Sequence, residues 1–273
     1  MRLEDKFKEL KNKREGAHMP HVYYGDPHEE FSVKLLETMV ENGADILEFG
    51  IPFSDPTADG ATFQAVCERA LESGTTPNKC IEGIKKLRAK GIDNPIVVTT
   101  YYNIPYVMGV GRFLSKIKDA GAQAIIVPNV PVEEADVLIA EGKKNEIHPI
   151  FQVAPTTTDE RLKKISDIAS GFLYVIGVEG VTGVRESLGD STLKLVERVR
   201  KHTDMPLLAG FGISTRQQAS NVVAAGADGA IAGSVYARVY EKNLQTPEEK
   251  LPEIASLVKQ IKQGCIEGYK QRK

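Results

Sequence analysis

"ENGADILEFG" (41–50), "DAGAQAIIVP" (119–128) and "AAGADGAIAG" (224–233) are three versions of one phrase. In each, an amphipathic stretch runs into a glycine, Gly43, Gly121 or Gly226, and an apolar run follows within a few residues. Glycine suits the left-handed conformation that ends a helix. The phrase therefore marks a helix passing into a strand, and its recurrence marks a repeated βα unit.

Working outward, apolar runs at 19–23, 46–50, 95–99, 124–128, 148–153, 172–176, 206–210 and 229–232 are expected as strands. Amphipathic segments at 29–42, 76–90, 111–120, 132–144, 158–169, 190–202 and 214–225 lie between them and read as helices. Strands so short and so apolar are covered on both faces, as in a parallel sheet. Eight units favour a closed α/β architecture, a (β/α)8 TIM barrel, formed by residues 1–273 as a single domain without a linker-like stretch. An open doubly wound sheet would gain support from a GxGxxG turn after the first strand, and "YYGDPHEE" (23–30) has none. At the N-terminus Leu3, Phe7 and Leu10 recur at helical spacing in a charged stretch, so a helix capping one end of the barrel is expected.

Composition narrows the function. The chain has 273 residues, 41% of them hydrophobic, enough for a full core, and a net charge of -2, which gives no reason to expect nucleic acid as partner. Cys67, Cys80 and Cys265 form no CxxC pair and read as reduced thiols. No stretch reaches the roughly 18–20 apolar residues of a membrane span. The charged N-terminus lacks the apolar centre of a signal peptide, so a soluble, cytoplasmic protein is expected. The five histidines show no HxH or HExxH spacing, which points away from metal chemistry.

The candidate site begins at Glu48, an acid inside an apolar strand. By alternation it shares a face with Ile46 and Gly50, while Leu47 and Phe49 suit the helix-packing side. Glu48 should thus point into the barrel at the C-terminal end of its strand, where active sites of such barrels are built. The inward faces supply no Lys or Arg to neutralise it, so its pKa should rise and allow proton exchange near neutrality. The following loop, "GIPFSDPTADG" (50–60), holds Asp55 and Asp59, either of which could cap a helix starting near Ala61. Glycine clusters "AGFGIS" (209–214) and "IAGS" (231–234) follow the last two strands, where backbone N–H groups and Ser234 could cradle a phosphate. The long polar stretch 178–190 reads as a lid. Tyr174 is either core filler or a pocket wall. His21 reads as a satisfied core histidine more readily than as a residue of the mouth.

The stretch "LEFGIPFSDPTADGATFQ" (47–64) is close to the pattern ELGxPFSDPxADGPxIQ. With "GDP" (25–27), "TYYN" (100–103), "APTT" (154–157), "GVTG" (180–183), "GFGIS" (210–214) and "GS" (233–234), it resembles the alpha subunits of tryptophan synthase over nearly the whole chain. The resemblance implies a lyase that cleaves indole-3-glycerol phosphate to indole and glyceraldehyde 3-phosphate by retro-aldol chemistry, in tryptophan biosynthesis. It implies no cofactor in this chain, and a beta-subunit partner in an alpha2beta2 complex that carries the pyridoxal phosphate.

Residue by residue, Glu48 matches the acid that protonates indole C3 and manages the proton of the adjacent hydroxyl. Asp59 matches the acceptor for the indole N–H. Tyr174 matches a pocket wall, Thr182 the lid threonine that orients Asp59, and Gly183, Phe211, Gly212, Gly233 and Ser234 substrate- and phosphate-binding positions. Asp55 and Asn103 match positions near the beta subunit. His21 stands where an aromatic residue is common, Thr99 where an aliphatic is usual, Asn129 where an aspartate is usual, and no arginine precedes GVTG. The pocket should therefore be more polar beside the indole ring. An alternative from another class is a weakly active or inactive module that activates a beta-type partner. A more remote one is another phosphosugar isomerase or aldolase, although no strand offers the inward lysine that a Schiff base needs.

Overall fold

The structure, a computed structural model, describes residues 1–177, 190–210 and 212–272. Eight strands, β1 (Ala17–Tyr23), β2 (Leu47–Gly50), β3 (Ile96–Thr99), β4 (Ala124–Ile126), β5 (His148–Val153), β6 (Leu173–Ile176), β7 (Leu207–Gly210) and β8 (Gly229–Ala232), pair in parallel and close in sequence order. The seam between β8 and β1 matches Ala17 with Gly229 and Pro20 with Ala232. All eight expected strands are present. The main differences are at the ends: β1 starts two residues earlier, and β4 stops at Ile126, two residues short of Pro128, which has no N–H to donate.

Around the barrel lie α1 (Leu3–Lys13), α2 (Glu29–Glu41), α3 (Ala61–Glu72), α4 (Pro77–Ala89), α5 (Asn103–Met108) and α6 (Val110–Ala120). They are followed by α7 (Asp136–Lys144), α8 (Asp159–Ile168), α9 (Asp190–Arg200), α10 (Arg216–Ala224), α11 (Ser234–Tyr240) and α12 (Leu251–Lys270). The three marker glycines adopt φ of 111° (Gly43), 107° (Gly121) and 116° (Gly226), the backbone state that the repeated phrase requires. Helices α5, α11 and α12 go beyond the expected set. The first two are too short to show a periodic pattern. The third buries Ile254, Val258, Ile261 and Cys265 at helical spacing and packs mainly on α10.

Two apolar regions result from strand alternation. Leu47, Phe49, Ile96, Val98 and Ile125 face outward into the helical layer. Met19, Ile46, Val97, Ile126, Ile150, Leu208 and Ile231 fill the barrel, and Leu3, Phe7 and Leu10 of α1 close its N-terminal end. The helix is therefore a plug, as its spacing predicts. Above this packed floor the inward residues turn polar, and the site begins there. Among the described residues no helix is long and apolar enough to cross a membrane.

Candidate active site

Glu48 stands on β2 opposite His21 of β1 in the strand register, with its side chain on the Ile46 face, inside the barrel. Only 2% of its surface is exposed. Thr99, at the end of β3, donates its hydroxyl to Oε1 at 2.7 Å, and Nδ1 of His21 approaches the same oxygen at 3.4 Å. The other oxygen, Oε2, is buried and has no partner among the described residues. No Lys or Arg reaches the group among the described residues. Burial pushes its pKa up to about 8, the Thr99 hydroxyl works the other way, and the nearby Asp59 charge adds to the rise.

Asp59 comes from the loop after β2. Neither it nor Asp55 caps the next helix: the N-cap of α3 is Gly60, without a side-chain cap bond, which overturns the capping role considered for either acid. The phenols of Tyr23 and Tyr101 instead donate to one oxygen of Asp59, Oδ2, at 2.8 and 2.6 Å. The backbone N–H of Ala58 donates to Tyr101 in turn, which fixes that ring against the loop. Among the described residues nothing donates to Oδ1. Burial raises the Asp59 pKa, and the two phenols oppose that rise.

A run of aromatic rings joins the two acids. His21 lies 4.8 Å from Tyr23 and 4.6 Å from Phe63 of α3, ring centroid to centroid. Gly233 permits this packing: a Cβ there would stand 2.5 Å from the Phe63 ring and 3.1 Å from the His21 Cβ. His21 is not the satisfied core histidine expected from the sequence. It is 7% exposed, and among the described residues its buried Nε2 has no partner. Burial alone drives its pKa down to about 3, so the ring is neutral. Tyr174 faces the same space from β6. Burial raises its pKa far above the usual phenol range, and the charges of Glu48 and Asp59 add to this. Gly210 beside Tyr174 leaves the room its hydroxyl occupies, since a Cβ there would lie 2.6 Å away.

Across the mouth, Gly212 takes φ 73° after β7, and half-exposed Gly233 and Ser234 open α11. Thr182, Gly183 and Phe211 lie outside the described residues, as does most of the expected lid. Asp55 is exposed and accepts from the Ser54 hydroxyl, and Asn103 is exposed at the start of α5. The oxygen of Asn129 accepts from the Tyr102 N–H at 2.9 Å. Among the described residues no group of three or more His, Cys, Asp or Glu is placed to hold a metal ion. Reading the sequence does not find the phenol partners of Asp59, although it carries signals of them: Tyr23 follows His21 by two on the inward face of β1, and Tyr101 lies within "TYYN".

Comparison with known proteins identifies a family. The family model described as "Tryptophan synthase alpha chain" matches residues 7–266. The tryptophan synthase alpha chain of Methanocaldococcus jannaschii is 49% identical over 244 residues, 89% of this chain and 86% of that protein. That of Photobacterium profundum is 42% identical over 261 residues, 96% of this chain and 97% of its own. Among solved structures, Mycobacterium tuberculosis tryptophan synthase superposes with a TM-score of 0.87 at 31% identity, covering 97% of this chain and 98% of the other.

Proposed function

The chain belongs to the tryptophan synthase alpha chain family, and on that premise we propose that Glu48 and Asp59 divide the acid/base work of its reaction. That reaction is a step of tryptophan biosynthesis, and the protein is a lyase acting on indole-3-glycerol phosphate. The observation that carries the assignment is a pair of neighbouring acids, each with one oxygen tied and the other free.

With Oε1 of Glu48 accepting from Thr99, the carboxyl proton belongs on Oε2, facing the pocket. Glu48 gives that proton to C3 of the indole. Asp59, its Oδ2 held by Tyr23 and Tyr101, accepts the ring N–H on Oδ1 and stabilises the positive charge that develops in the ring. The bond from the ring to the glycerol moiety then breaks, the hydroxyl on the adjacent carbon becomes an aldehyde, and its proton leaves toward the pocket floor. Tyr174 walls the ring. Gly212, Gly233 and Ser234 hold the phosphate largely through backbone dipoles, and Thr182, Gly183 and Phe211 keep their expected roles in the same proposal. The reaction needs no cofactor in this chain.

The partner in this reading is a pyridoxal-phosphate-dependent beta subunit, in an alpha2beta2 complex that takes up the indole. Supporting it, Tyr106 and Val107 of α5 are 71% and 83% exposed, close to Asn103, and Val137 of α7 is exposed beside a groove of about 700 Å³ that Tyr102, Tyr106 and Arg112 also line. A cytoplasmic location belongs to the same proposal. The non-catalytic alternative is not favoured. Measuring indole release from indole-3-glycerol phosphate by the parent and by Glu48→Gln tests the assignment. A fall in kcat of about 10²–10⁴ is expected for the variant, as for a lost general acid. Parent-like turnover would remove Glu48 from the mechanism.

A further inference from the structure

Two buried polar atoms at the barrel mouth lack partners among the described residues: Oε2 of Glu48 and Nε2 of His21. They belong to side chains that meet through their other ends, with Nδ1 3.4 Å from Oε1. One group is an acid kept protonated by burial, the other a base kept neutral by burial. A retro-aldol cleavage calls for both functions, because one proton must reach the ring and another must leave the hydroxyl, and two adjacent groups can divide them. From this geometry we infer that His21 is the base of the reaction, taking the hydroxyl proton on Nε2 while Glu48 serves as the acid. The inference rests on the proposed role of Glu48 and assigns the second proton transfer to a different side chain.

His21 is set up for this by its surroundings. Nδ1 faces the Glu48 oxygen, which favours the N–H on that nitrogen and leaves the lone pair on Nε2. Tyr23 and Phe63 hold the ring on two sides, and neither can take the proton from Nε2. Alone, the dry imidazole is a weak base. When Glu48 gives up its proton, however, a carboxylate appears 3.4 Å from the ring and favours imidazolium. The base thus gains strength only after the acid has acted, which orders the two transfers.

The protons balance. The O–H bond of Glu48 breaks as a C–H bond forms at C3. The C–C bond joining the ring to the glycerol moiety then breaks, and its electron pair returns to the ring and neutralises the ring nitrogen. The hydroxyl O–H bond breaks toward Nε2 as the carbonyl forms. Imidazolium and carboxylate then face each other, and one proton passes from Nδ1 back to Glu48. His21 is left as its other tautomer, which exchanges with water after the products leave.

The test uses the full-length protein and indole release from indole-3-glycerol phosphate. His21→Ala should lose about 100-fold or more in kcat, the usual share of a general base. Added imidazole should restore at least about tenfold, whereas pyrazole, of the same shape but a far weaker base, should not. Equal rescue by both, or none by imidazole, overturns the inference. If His21→Ala does not fold, His21→Phe decides, since it keeps an aromatic ring against Tyr23 and Phe63. A loss of about 100-fold in kcat with KM within about threefold supports a base. Parent-like kcat, or a loss confined to KM, leaves His21 as a wall and sinks the inference. Glu48→Gln is assayed in parallel: its retained activity would defeat the acid assignment, whatever the His21 variants do.

Discussion

Glu48 and Asp59 lie close enough for the charge of one to act on the other, yet the fold treats them in different ways. Glu48 is on a strand, enclosed by the barrel, with one hydroxyl donor and a neutral imidazole beside it. Asp59 is on a loop, half-buried, with two phenols donating to a single oxygen. Burial raises both carboxyl groups, to about 8 at Glu48, and two phenols oppose the rise at Asp59 where one hydroxyl does so at Glu48. In the proposed reaction, this difference lets one site obtain an acid and an acceptor from the same functional group. Enclosure with few donors keeps a proton on, and several donors at a more open position favour the carboxylate.

The largest effect that could break this comparison is on turnover. Glu48→Gln keeps the shape and the Thr99 bond but removes the acid, so kcat for indole release should fall by about 10³. Asp59→Asn should cost less, about 10² in kcat, because it removes charge stabilisation and leaves the proton donor in place. If the two losses were reversed, the roles would need to be exchanged.

Stability against pH sharpens the comparison next. A folded-state pKa raised from 4.5 to about 8 means that the folded protein holds this proton more tightly than the unfolded one. The linked stability is fully present below about 4.5 and is lost as pH rises through about 8. Glu48→Gln has no such term, so its stability relative to the parent should grow between about pH 5 and pH 9, by about 4 kcal/mol in thermal melts. A pH-independent difference would mean that Glu48 is not held protonated.

The smallest effect concerns the Thr99 hydroxyl that donates to Glu48. Removing the hydroxyl with Thr99→Val should move the alkaline fall of kcat upward by up to about one pH unit, since that hydroxyl favours the ionised form. A downward shift, read from a pH–rate profile, would mean that Thr99 serves the acid in another way.

Glycines before apolar runs, the spacing of eight such runs and the alternation around Glu48 are enough to read the barrel, its plug helix and the inward acid from the sequence. These signals are local, and each rests on neighbours a few residues apart. The partners of the acids are not legible in that way. Tyr23 and Tyr101 meet Asp59 from 36 and 42 residues away, and Thr99 meets Glu48 across 51. His21 looks like a core residue because its strand is apolar, and only the closed barrel shows that its Nε2 has no partner among the described residues.

The sequence by itself determined which residues form strands, which strand face each occupies, and that an acid would be enclosed. Only the tertiary structure decided which oxygen of each acid is tied and which is free. The reason is that a strand fixes direction through its own backbone, whereas hydrogen-bond partners and desolvation depend on groups brought together by closing the barrel.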